Sequence, residues 1–134
     1  MQKNYNLKTK YRLKTNEDTL LLEKEIINII KEKKGKDIIV IDLRKLNYDL
    51  CDKFIICHGD STVQVAAIAQ GIEEKIKENL NILPHHIEGY TNALWILMDY
   101  QDIVLHIFFK PVRDYYKLED LWGDADIIKI DEED

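Results

Sequence analysis

Two hydrophobic periods succeed one another along the chain. Over residues 17–34 (E-D-T-L-L-L-E-K-E-I-I-N-I-I-K-E-K-K) apolar residues fall at 20, 22, 26, 27, 29 and 30, the spacing of one helical face. Acids open this segment and lysines close it, the order a helix dipole favours, and Gly35 stands where a C-terminal cap belongs. Residues 37–43 (D-I-I-V-I-D-L) form a β-branched run with no polar alternation before Asp42, as a strand covered on both faces would. Residues 53–57 predict a second strand, and Asn47-Tyr48-Asp49 supplies turn chemistry between the two. His58-Gly59-Asp60-Ser61 breaks that strand and caps a helix over about 62–79, with positions 65, 68, 69, 72 and 76 on one buried face. Ala67 and Gly71 lie on another stripe, small enough for a neighbouring backbone to approach.

After Leu83-Pro84 the period changes to that of strands. Residues 86–88 predict a short strand, and 94–99 and 103–109 two longer ones. Pro111 stands where a last helix over 112–122 would begin, with Gly123 after it. The order helix, two strands, helix, about three strands, helix implies a single α/β domain, a mixed sheet of about five strands flanked by helices, over residues 17–125. Residues 1–16 are then a basic N-terminal arm, and 126–134 an acidic tail.

The most apolar segment, W-I-L-M-D-Y-Q-D-I-V-L-H-I-F-F at 95–109, also holds two carboxylates and an imidazole. A two-residue turn at Tyr100-Gln101 would set Asp99 opposite Asp102, Leu97 opposite Val104 and Trp95 opposite His106, all on one face. Ile96, Met98, Ile103, Leu105 and Ile107 would share the other, purely apolar face and sit under the helices. The mixed face is then a surface left open for a partner, on which His106 is half-covered beside Trp95. The two facing carboxylates would repel, a tension that a cationic partner relieves.

Of the 134 residues 46% are hydrophobic and 33% charged, ordinary for a folded domain, and the net charge of -6 argues against a protein that mainly coats phosphate backbones. The charge is unevenly placed. Lys3, Lys8, Lys10, Arg12 and Lys14 give the first fifteen residues a local +5, which could touch RNA, whereas 114–134 carries a local -7. No apolar run reaches the ~18 residues of a membrane span, and the first residues lack the apolar core that a secretory signal would be expected to carry. Cys51 and Cys57 form no CxxC, which suits a reducing, cytoplasmic compartment. His58, His85, His86 and His106 match no zinc spacing, so neither metal nor cofactor is expected.

Two kinds of catalytic chemistry bear on this layout. Nucleotidyltransferases resemble it, with a Gly-Ser turn opening a helix and carboxylates on a later strand; the enzyme alternative therefore uses Gly59, Ser61 and Asp99. Only Asp99 is available on that strand, so the paired carboxylates of a two-metal site are missing. Ser61 with His58 and Asp60 reads as cap chemistry rather than a nucleophile relay.

Three linked segments carry a family resemblance. G-D-S-T-V-Q-V-A-A-I-A at 59–69, W-I-L-M-D-Y-Q-D-I-V-L-H-I-F at 95–108 and R-D-Y-Y-K-L-E-D-L-W-G-D-A at 113–125 resemble, in that order, the ribosomal silencing factor (RsfS, Iojap-like) family. The resemblance implies a nucleotidyltransferase-like fold without the catalytic set, and a homodimer. It further implies a non-enzymatic repressor that binds large-subunit ribosomal protein fourteen on the intersubunit face and blocks subunit joining under nutrient limitation. By similarity the contact residues are Trp95, Leu97, Asp99, Tyr100 and Asp102, with Tyr116, Leu121 and Trp122 nearby; Trp122 reads equally well as a core anchor. The chain departs at Gln101, where the family has glycine. A left-handed conformation there would cost ~1 kcal/mol.

Overall fold

The computed structural model describes residues 16–46 and 51–131. Residues 1–15 of the basic arm, the Asn47-Tyr48-Asp49 turn and the last three residues of the tail lie outside them. Helix α1 (Asn16–Glu32) is followed by β1 (Lys36–Asp42), a 3-10 turn (Arg44–Leu46), β2 (Lys53–Gly59) and α2 (Thr62–Leu80). Then come β3 (His86–Glu88), β4 (Trp95–Asp99), β5 (Ile103–Phe109), α3 (Lys110–Tyr116), a second 3-10 turn (Leu118–Trp122) and β6 (Asp126–Lys129). The six strands make one sheet in the order β3-β4-β5-β2-β1-β6, parallel only between β2 and β5.

The two long helices and the expected strands are present, and the helical spacing named most of their buried faces; on α1 Leu20 is the exception, 52% exposed, and Ile27 is only partly buried. Leu22, Ile26, Ile29 and Ile30 of α1 and Val65, Ile68, Ala69, Ile72 and Ile76 of α2 pack on Ile38, Val40, Ile55, Cys57, Ile96, Met98, Ile103, Leu105 and Ile107 of the sheet. This is the principal core. Gly71 is buried, but its neighbour is the Lys33 side chain rather than a backbone; a Cβ would meet Lys33 Cε at 2.6 Å.

Ser61 caps α2 as its position suggested. Its side chain accepts from the Gln64 N–H at 3.1 Å, while Gln64 Oε1 accepts from the Asp60 N–H at 2.8 Å, so two donors at the helix entrance are satisfied reciprocally. Ser61→Ala is expected to lower unfolding free energy by ~1 kcal/mol in urea titration, with Ser61→Thr nearly neutral. An unchanged midpoint for Ser61→Ala would contradict this role.

Three sequence expectations are corrected at the C-terminal half. The last helix is not continuous from 112 to 122. It ends at Tyr116, Lys117 turns left-handed (φ 48°), and a 3-10 turn takes over. Residues 126–129 are not tail but a sixth strand, antiparallel to β1, with Ile128 opposite Val40. Finally, the sheet face opposite α1 and α2 is not left open. Ile39, Ile41, Leu43, Phe54, Ile56 and Phe108 form a second core there, and Val112, Leu118, Trp122 and Ala125 pack against it. Six large apolar side chains on that face could not stay in water, and the returning chain covers them.

Candidate docking surface

The β4–β5 hairpin is the element that positions the predicted surface, and its register differs from expectation by two residues. Trp95 pairs with Phe108, Leu97 with His106 and Asp99 with Val104. The turn is Gln101-Asp102, not Tyr100-Gln101. Gln101 takes φ 75°, and the Asp102 N–H donates across it to the Tyr100 carbonyl at 3.0 Å. The left-handed strain expected at this non-glycine residue is therefore present, and the Asp99 carboxylate offsets part of it by accepting the Gln101 N–H at 2.7 Å. Asp99 pairs with Val104 and does not face Asp102 across the strands, so the cross-strand repulsion expected of the two carboxylates is not built into the hairpin.

A shift of two residues preserves the alternation of side chains, so each residue keeps its expected face. Ile96, Met98, Ile103, Leu105 and Ile107 lie against the helices. Tyr100 continues their row and is buried with them at 4% exposure, which is the physical reason the strand runs one residue further before turning. As a contact residue Tyr100 is corrected: its ring belongs to the core.

On the opposite face Trp95, Leu97, Asp99 and Val104 are half-buried, and Trp95 lies in an aromatic cluster. Its ring centroid is 4.7 Å from Phe108 and 5.2 Å from Tyr116. Trp95 and Tyr116 are thus neighbours, joined by the return of α3 over the sheet. Tyr116 is 54% and Leu121 74% exposed. Trp122 is half-buried with its ring edge-on to Phe54 at 5.5 Å, so it anchors the last 3-10 turn. Asp102 lies in the hairpin turn, where its carbonyl accepts from the Asp52 and Lys53 N–H groups at 2.9 and 3.1 Å and ties the turn to the start of β2.

His106 is buried at 5% rather than half-covered, enclosed by Phe54, Trp95 and Phe108. Its Nδ1 accepts the Trp95 indole N–H at 3.1 Å. Burial alone pushes its pKa down to about 4, so it is neutral at physiological pH. Both thiols are pushed up to about 12, by burial first, and neither is a nucleophile near neutrality.

The residues of the enzyme alternative do not form one site. Asp99 is level with Phe54 through Val104, five residues from Gly59 along β2, or roughly 17 Å at ~3.3 Å per residue. Ser61 is engaged in capping α2. No group of three or more potential metal ligands occurs among the described residues.

Sequence reasoning missed a buried polar group at that far end. Arg113, 7% exposed, donates from Nη1 to His58 Nδ1 at 2.9 Å and stands 3.8 Å from Glu119, beside an open cavity of about 670 Å³. Burial, then the Arg113 charge, lowers the His58 pKa. The only sequence signal was an arginine on the apolar side of a short helix.

A family model described as ribosomal silencing factor during starvation (RsfS) matches residues 16–134. The chain belongs to this family. A Bacillus subtilis relative named ribosomal silencing factor RsfS is 42% identical over 100 residues, covering 75% of this chain and 83% of its own. A crystal structure of a Chromobacterium violaceum protein superimposes with a TM-score of 0.73 at 38% identity, covering 78% of this chain and 85% of that one. One from Bacillus halodurans gives 0.69 at 34%, covering 86% and 100%. The family resemblance and the α/β fold read from sequence are both established by these matches. No helix among the described residues is long and apolar enough to cross a membrane.

Proposed function

We propose that this protein is a non-enzymatic silencer of ribosomes in the cytoplasm. It docks on the large subunit, chiefly on large-subunit ribosomal protein fourteen at the intersubunit face, and blocks subunit joining by occupying the space the small subunit needs. Translation is thereby repressed when nutrients are scarce. The observation that carries this reading is the contact of half-buried Trp95 with exposed Tyr116, on the sheet face that also carries Leu97 and Asp99, in a chain whose relatives are named ribosomal silencing factors. Exposed Leu121 and the hairpin residue Asp102 are assigned to the same surface as part of the proposal. An apolar centre with a charged rim is the make-up of a reversible protein interface. Trp122, packed edge-on against Phe54 in the second core, is assigned to this surface as well. A homodimer and a lesser contact of the basic arm with ribosomal RNA belong to the same proposal.

The direct test is cosedimentation of the full chain with isolated large and small subunits. Binding to the large subunit alone supports the reading, and binding to neither contradicts it. The acidic rim gives a second expectation. The double variant Asp99→Lys, Asp102→Lys is expected to dock about tenfold more weakly, with the loss growing at low salt, if the partner surface is basic. Tighter binding would reverse the electrostatic part of the proposal.

A further inference from the structure

The indole of Trp95 has one polar atom, a donor, and that donor is used inside the protein. Nε1–H points to His106 Nδ1 at 3.1 Å. The ring is held between Phe108 and Tyr116, with centroids at 4.7 and 5.2 Å. His106 is itself held in place, edge-on to Phe54 at 4.7 Å and nearly parallel to Phe108. Because its Nδ1 accepts, its proton is on Nε2, which is buried with no hydrogen-bond partner among the described residues. Turning the indole over would send its N–H outward and leave both nitrogens of a buried imidazole unmatched, an arrangement disfavoured by roughly tenfold or more. Burial keeps the ring neutral, so the acceptor persists at physiological pH.

We infer that His106 is a positioning residue for the docking surface: it holds the Trp95 indole with its N–H turned inward, so that a partner meets only the hydrocarbon edge of the ring. This rests on the docking reading above and adds to it the chemistry of the contact. The partner surface opposite Trp95 is apolar and offers no acceptor to the indole.

Indole N–H exchange in ¹⁵N-labelled protein, with the two tryptophan signals assigned by Trp95→Phe, tests the geometry without ribosomes. Docking of the same variants to isolated large subunits tests the consequence. The Trp95 N–H is expected to be protected in the wild-type chain. Trp95→Phe, which lacks the N–H, should dock about tenfold better than Trp95→Ala. His106→Phe keeps the bulk but not the acceptor; it should melt near the wild-type temperature, lose indole protection and dock about tenfold more weakly. His106→Asn, which returns an acceptor near the Nδ1 position, should recover protection despite a lower melting temperature. Should His106→Phe not fold, wild-type exchange decides, and a Trp95 N–H exchanging like a free indole overturns the inference. Unchanged docking of a folded His106→Phe overturns it as well. Failure of the wild-type chain to dock at all overturns the docking reading and the positioning role with it, an outcome distinguishable because the exchange result stands on its own.

Discussion

Trp95→Ala is expected to weaken docking on the large subunit by ~2 kcal/mol or more, about a 30-fold loss of affinity. Buried aromatics dominate interface energies because they bring much apolar area at the cost of few rotatable bonds, and Trp95 sits where β4 meets α3. The substitution also opens space above Phe108, so some fold stability is lost too. A cosedimentation titration run well below the variant's own melting temperature separates the two effects. Unchanged affinity in a folded variant would mean that the partner contacts another face.

Acid is expected to unfold the protein more steeply than its surface carboxylates alone would. His106 has a folded pKa of about 4 against an ordinary value of 6.5, because the imidazolium cannot be hydrated among Phe54, Trp95 and Phe108. Between those values the unfolded chain binds the proton and the folded chain does not. The contribution is therefore complete above about pH 6.5 and is lost as pH falls toward 4, to the extent of ~3 kcal/mol. His58, also lowered by burial and by Arg113, acts in the same direction. Denaturant unfolding of wild type and His106→Phe at pH 7 and pH 4.5 isolates the term. The variant should gain on wild type as pH falls. A difference that does not change with pH would show that His106 titrates normally and is not sealed as described.

Much of this molecule was legible because long elements average over their errors. The buried faces of α1 and α2 followed from 3.6-residue spacing, since α1 and α2 run for 17 and 19 residues and a single misplaced side chain hardly moves the stripe. The β4–β5 hairpin was legible in its faces but not in its register. Polar-looking Tyr100-Gln101 invited a turn there, yet Tyr100 has the same parity as Ile96 and Met98, and burying its ring outweighed the turn preference. The second core was hidden for a related reason. Phe54, His106 and Phe108 share one face, but only the return of α3 and the following 3-10 turn shows that this face is covered. The break at Lys117 and the four-residue β6 are too short to impose a period, so only tertiary pairing defines them.

The candidate site follows the same division. Trp95, Leu97, Asp99, Tyr116 and Leu121 came from motifs, and the fold brings Trp95 and Tyr116 into contact. Tyr100 was misplaced because burial is a property of the assembled sheet. The alternation of the two strands already puts His106 beside Trp95, but its burial and the hydrogen bond it accepts depend on the covering of that face, which no local pattern contains.

A subunit-joining assay, following light scattering as small subunits are added to large subunits preincubated with this protein, tests most directly whether docking blocks joining. The wild-type chain should suppress joining in proportion to its occupancy of the large subunit, with Trp95→Ala requiring about 30-fold more protein for the same effect. Normal joining on large subunits fully occupied by the wild-type chain would contradict this blocking role.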